Sequence, residues 1–367
     1  MKRILIALLL ISFLLFAACP QQDTPAYPVY PDALGRTAYG FFPSPTEATV
    51  QGIFDIYEAM GRHADVALLQ QNIPWEEFVD SVQTNSKTII DIGNQYTLSH
   101  ENGLEVIFVV DPLNGLNRSE FYNLPAGWEA SFGNPDIRAA FTNFVISIVR
   151  MYHPSYLGLA SEINTYHDTH PDDFEYYLSL YREVYDQVKA EAPDTKIFVT
   201  FQWEEMNNLI PGVARGEPYE VNWFQIEQFE PKLDIWAISS YPFIIFTSGK
   251  DIPADYYSSL LTRTLKPIAV AEGGYSSEDV MSFSGSTQGQ VDYLNAIHAQ
   301  LGGERLAFWI YLLLADFDME SYVAVMTEQG HAHDAPTLGI FEAVGLCESD
   351  YTPKPALATW DSFRSGD

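Results

Sequence analysis

Cysteine is nearly absent from the 367-residue chain, with Cys19 and Cys347 alone, so no framework of intrachain disulfides holds the fold and stability has to come from a packed core. Cations are scarce too: 19 Lys and Arg face 49 Asp and Glu, for a formal net charge of −30. Such a surface repels nucleic acid and other strong polyanions, which excludes nucleic-acid partners and leaves neutral ligands open. No apolar run is long enough to be a convincing membrane span; the longest, residues 4–16, falls short of the twenty or so that a bilayer needs. No G-x-S-x-G nucleophile elbow occurs. The Phe42-Pro43-Ser44-Pro45 segment lacks the glycines of a dinucleotide-binding turn.

What is present begins with a targeting signal. Lys2 and Arg3 precede the apolar run, which ends in Phe16-Ala17-Ala18-Cys19. This resembles a bacterial lipobox, in which the cysteine is acylated after cleavage. The expectation is an exported bacterial lipoprotein, membrane-anchored at Cys19 and facing the periplasm or cell exterior. An uncleaved apolar anchor is the alternative. Residues 1–18 then form the signal peptide, 19–35 a lipidated, proline-rich tether, and 36–367 one catalytic domain. In extended form the tether reaches up to about 50 Å from the bilayer.

Within that domain, strand-length apolar runs alternate with segments of helical period. Strands are expected at 37–42, 64–70, 105–111, 156–162, 196–202, 234–241, 267–272 and 306–312, and the clearest helices at 46–60, 85–102, 135–152, 172–191, 288–301 and 355–363. Eight strand–helix pairs are the count of an α/β (β/α)8 TIM barrel, with an open doubly wound sheet as the alternative. In such a barrel the residues closing each strand face the active site. Two strand ends carry a glutamate, Glu162 in Ser161-Glu162-Ile163-Asn164 and Glu272 in Ala271-Glu272-Gly273-Gly274. A pair of opposed carboxylates suits glycoside hydrolysis, one protonating the leaving oxygen while the other attacks the anomeric carbon. Each glutamate alone reads equally well as a solvated rim residue. Aromatic residues make up 14% of the chain, and those on rim loops suit neutral sugar rings.

With these glutamates, Ser240-Tyr241-Pro242-Phe243 on strand 6 and Phe308-Trp309-Ile310-Tyr311 on strand 8, the chain resembles the retaining glycoside hydrolases of clan A. It is most similar to the arabinogalactan endo-β-1,4-galactanases. That resemblance implies Glu162 as acid/base, Glu272 as nucleophile, Tyr241 as the nucleophile's hydrogen-bond partner and Trp309 as a stacking platform. Ser161, Asn164, Trp203, Tyr275 and Trp128 join Trp309 as expected substrate contacts. The implied partner is a neutral β-linked polysaccharide or oligosaccharide, met by a monomer.

The family has asparagine where this chain has Ser161, and a strand-2 arginine where it has Gln70. These differences support a rival, a catalytically inactive cell-surface glycan-binding protein on the same barrel. Glu204 and Glu205 stand as substitute acids. No cofactor or catalytic metal is expected. His331-Ala332-His333-Asp334 is a candidate metal motif, but strand 1 lacks the histidine pair that barrel amidohydrolases use. Asp316-Phe317-Asp318-Met319-Glu320 offers alternating carboxylates for a structural calcium, with a solvated loop as the plainer reading.

Overall fold

The computed structural model describes residues 36–366, apart from Glu304, Gln329, His331, His333 and Asp334. The signal peptide, Cys19, the tether and the His331-His333-Asp334 motif lie outside the described residues. Among those described, no helix is long and apolar enough to cross a membrane.

The barrel strands are β1 (Ala38–Phe41), β2 (Val66–Asn72), β3 (Glu105–Asp111), β4 (Tyr156–Gly158), β5 in two pieces (Lys196–Phe198 and Thr200–Gln202), β6 (Trp236–Ser240), β7 (Ile268–Gly273) and β8 (Leu306–Tyr311). Every neighbouring pair is parallel, and β1 pairs with both β2 and β8. The first piece of β5 bonds to β4 and the second to β6, with Val199 between them. The ring therefore closes, and the α/β barrel expected from the strand count is the fold. An open sheet is excluded by the β1–β8 ladder.

Helices cover the outside where capping chemistry meets an apolar stripe. Thr49, Ser86 and Ser286 accept a backbone N–H with their side chains at the starts of helices Val50–His63, Lys87–Glu101 and Thr287–Leu301. Asn134 does the same ahead of Pro135, which opens helix Pro135–Tyr152. Helices Pro171–Glu191 and Pro355–Ser365 complete the longer members. Short helical turns follow β5 and β6 instead, at Trp203–Met206 and Pro242–Ile244.

Alternation along β8 sets the layers. Phe308 faces inward, 5.2 Å from Tyr156 and 5.5 Å from Phe198 between ring centroids, and helps plug the barrel. Trp309 faces outward, where Trp360 of the last helix wedges against Tyr39, Phe41, Trp309 and Tyr311.

Candidate active site

Glu162 follows β4 in a left-handed conformation, φ 47° and ψ 44°, uncommon for a residue with a Cβ. Its backbone N–H donates to Thr200 Oγ1 at 2.7 Å, which ties the bend to β5. Such local strain persists when surrounding contacts over-determine it, a condition concentrated at functional sites. The side chain is fully buried, and Oε1 accepts a 2.6 Å hydrogen bond from Ser239.

Glu272 reaches the same mouth because β7 carries a bulge. Val270 pairs with outward Trp309 on one side and with Ile238 on the other. Plain alternation would then turn Ala271 inward and Glu272 outward. The register instead skips Ala271, so Glu272 lies opposite Ser239, whose side chain points in. Tyr241, two residues beyond Ser239, donates to Glu272 Oε1 at 2.6 Å.

A short antiparallel hairpin after β3, Leu113–Asn114 with Asn117–Phe121, brings in Arg118. Its guanidinium is 2% exposed. Nε donates to Glu162 Oε2 at 3.3 Å, and Nη1 is bonded to Asp111 Oδ2. Gln70 also donates to Asp111, at 2.7 Å. The strand-2 arginine is thus replaced by a glutamine that orients Asp111, while the guanidinium comes from the next loop. Arg118, Asp111 and Ser239 were not singled out from the sequence. The available signal was that Arg118 is the one cation in residues 112–134.

Burial raises the Glu272 carboxyl above its ordinary range, and the charge of Glu162 adds to the effect, while Arg118 and the Tyr241 hydroxyl oppose it. Burial also raises Asp111, against the pull of Arg118. Arg118 itself is pushed up, because its three carboxylate neighbours outweigh its desolvation.

Glu204 is buried behind this site. It accepts from Ser240 and Gln202 side chains, both at 2.6 Å, and from the Tyr241 backbone N–H at 3.1 Å. It therefore braces the strand that presents Tyr241. Burial pushes its carboxyl up to about 7. Glu205 is likewise pushed up to about 7 by burial, and accepts from Thr165 at 2.7 Å.

Five of the six expected substrate contacts are buried in the protein fabric. Trp309 is no platform at the cleavage point, because it faces the helix layer. Trp203 follows inward Gln202, so it too turns outward, onto Trp223 and Tyr256. Tyr275 packs on Phe243 and Tyr293. Asn164 exchanges hydrogen bonds with the Gln202 backbone, accepting at 2.8 Å and donating at 3.2 Å. Ser161 Oγ lies 3.2 Å from Thr200 Oγ1. Trp128, half-buried on the loop after β3, keeps an open face. In each buried case the residue type suggested a ligand contact but the local register decided its direction.

Two of the three carboxylates of 316–320 are engaged internally, and Glu320 is exposed. Asp316 pairs with Lys354 and accepts from Gly345, and Asp318 caps helix Met319–Glu328. Cys347 is buried beside them, its thiol raised to about 11 by burial.

No protein-family model and no curated protein sequence matches the chain. Among solved structures, the chain is similar to GH5_18 of Bifidobacterium longum, solved with Manβ1-4GlcNAc: 15% identity, TM-score 0.64, covering 90% of this chain and 78% of that one. It is similar to the exo-β-1,4-mannosidase Op5Man5 of an Opitutaceae bacterium at 13% identity and TM-score 0.62, covering 90% of this chain and 59% of that longer one. It is similar to fungal β-1,4-galactanases at 12% identity and TM-score 0.53, covering 89% and 94%. The (β/α)8 barrel is the fold it has in common with these solved structures.

Proposed function

We propose that the protein is a retaining glycoside hydrolase acting on a neutral β-linked polysaccharide or oligosaccharide, exported and held at a membrane by a lipid on Cys19. The observation that carries this is the pairing of Glu162 and Glu272 in one buried mouth, one held by Ser239 of β6 and the other by Tyr241 just after it. In double displacement a carboxylate attacks the anomeric carbon as the leaving oxygen takes a proton. Water then cleaves the glycosyl ester with the acid acting as base. The resemblance gives Glu272 the first role and Glu162 the second. The fold neighbours named for β-1,4-mannosidase and β-1,4-galactanase activity make β-1,4-linked hexosides the first substrates to try.

The test is turnover of β-1,4-mannan, β-1,4-galactan and their oligosaccharides by the parent, Glu162→Gln and Glu272→Gln. A parent active with retained anomeric configuration, and variants reduced about 100- to 10,000-fold, is the expected result. Inverted product would refute the retaining route. Globomycin-sensitive processing and loss of membrane association in Cys19→Ala test the anchor.

A specific observation favours the second reading, a glycan-binding protein without turnover: both oxygens of Glu162 are already engaged, by Ser239 and Arg118. Binding of the same glycans without hydrolysis would establish it.

A further inference from the structure

Seven non-glycine residues among those described have a left-handed backbone, and two of them, Tyr219 (φ 66°) and Met281 (φ 52°), are also exposed large hydrophobic side chains, at 49% and 69%. Each feature is unfavourable: the conformation strains a residue with a Cβ, and the side chain puts apolar surface in water. Neither packing nor stability selects the combination. Both residues lie on loops that follow strand ends, Tyr219 after β5 and Met281 after β7, on the face that carries Glu162 and Glu272.

The surroundings hold the strain in place. Met281 opens a two-residue turn in which Val280 and Phe283 exchange backbone hydrogen bonds at 3.0 and 2.9 Å. Glycine, asparagine or aspartate is the usual occupant of such a position. Ser276 Oγ donates to the Glu278 carbonyl at 2.7 Å and the Gly285 N–H to Asp279 Oδ1 at 3.0 Å, which ties the turn down. Phe283 packs 6.2 Å from Phe243, and Phe243 packs 6.4 Å from Tyr241. On the other side of β6, Tyr219 donates its backbone N–H to the Asn207 carbonyl at 2.8 Å, and its ring makes a T-shaped contact with Tyr256 at 6.4 Å. The Tyr256 hydroxyl donates to Glu204 at 3.3 Å, and Glu204 accepts the Tyr241 N–H. Two braced tips thus stand on scaffolds that both end at Tyr241, the donor to Glu272.

We propose that Tyr219 and Met281 are two sugar-contact points of an extended subsite, which grip the C–H faces of a neutral glycan on either side of β6, beyond the residues at the cleavage point. A flat ring and a polarizable thioether both suit the apolar face of a sugar. Strain and exposure are then the cost of presenting these side chains to a ligand that covers them. Exposed carboxylates flank both tips along the chain, Glu217 and Glu220 near Tyr219 and Glu278 and Asp279 near Met281. They repel uronates and sulfated sugars, which limits the ligand to a neutral glycan. This deepens the glycosidase reading and rests on it for the identity of the ligand.

The experiment is calorimetric titration with β-1,4-mannan and β-1,4-galactan oligosaccharides, from disaccharide to hexasaccharide, in the Glu272→Gln background so that no ligand is consumed, with thermal denaturation of each variant. Tyr219→Gly and Met281→Gly are each expected to weaken binding of the hexasaccharide about tenfold, and of the disaccharide less. Their Tm stays at or above the parent's, because glycine relieves the strain. Tyr219→Phe and Met281→Leu keep the affinity. Unchanged hexasaccharide affinity in either glycine variant, or a Tm that falls in step with affinity, overturns the inference, as does a parent that binds none of these glycans. Glycan binding without turnover, weakened by both glycine substitutions, would sink the glycosidase reading and leave the contact points standing. Turnover of long glycans that both substitutions leave untouched would do the reverse.

Discussion

Ser239 near the end of β6 and Tyr241, the first residue after it, donate to different glutamates: the first to Glu162 and the second to Glu272, each at 2.6 Å. Period-2 geometry puts both donors on the same face about 7 Å apart along the strand. The end of β6 is thus a ruler that fixes one carboxylate against the other. Tyr241→Phe is expected to lower kcat about 10- to 100-fold, the worth of a hydrogen bond to a charged group, with a far-ultraviolet spectrum like the parent's. Steady-state kinetics on whichever glycan is turned over checks this, and an unchanged kcat would remove Tyr241 from the site's chemistry.

The bulge at Ala271 gives a sharper test of geometry. Deleting Ala271 removes the extra residue, and Glu272, now directly after outward Val270, still faces inward opposite Ser239. A folded deletion variant is therefore expected to keep its activity within about tenfold of the parent's, as is Ala271→Gly. A deletion variant that folds but loses activity as far as Glu272→Gln would show that Ala271 is not the residue left out of the ladder.

Trp309 and Trp128 are expected to separate stability from binding. Trp309→Ala opens a cavity between β8 and the last helix and is expected to cost about 3–5 kcal/mol in urea denaturation. Glycan affinity in the surviving folded fraction stays near the parent's. Trp128→Ala is expected to spare stability and weaken glycan binding. The reverse pattern would restore Trp309 to the cleft.

Stability is expected to fall as pH rises from about 4.5 to about 7. Burial lifts Glu204 and Glu205 from 4.5 to about 7, and Asp316 from 3.8 to about 7. Over that window the unfolded chain has released protons that the folded chain still holds, so raising the pH favours unfolding. Self-repulsion in a chain of formal charge −30 acts in the same direction. Calorimetry at fixed ionic strength should give a higher Tm near pH 5 than near pH 8, with a shallower slope in Glu204→Gln. A Tm that climbs across that range would contradict the protonated assignment of these buried carboxyls.

The barrel was legible because its buried strands are continuous apolar runs and its helices carry strong stop signals. Glu105–Asp111 and Pro135–Tyr152 fall at the expected residues. The approximate positions of Glu162, Tyr241 and Glu272 follow from the same runs. What the runs do not carry is direction. A one-residue bulge reverses which side chain faces in, and the outward turn of Trp309 depends on register with Tyr39 and on a helix fifty residues later. Arg118 escaped notice for a related reason: its partners Asp111 and Glu162 meet it through a hairpin whose fold is set by tertiary contacts.

The ladder between β1 and β8 has a consequence for how the molecule comes into being. Ala38 finds its partner at Phe308, and Trp360 seals the seam from outside. The loop that must close is nearly the whole domain, so the seam is a late and slow event in folding. Until it forms, β1 presents a bare edge. A chain stopped short of residue 360 would leave the outer side of that seam uncovered, making the last helix a safeguard against misassembly as much as a part of the wall.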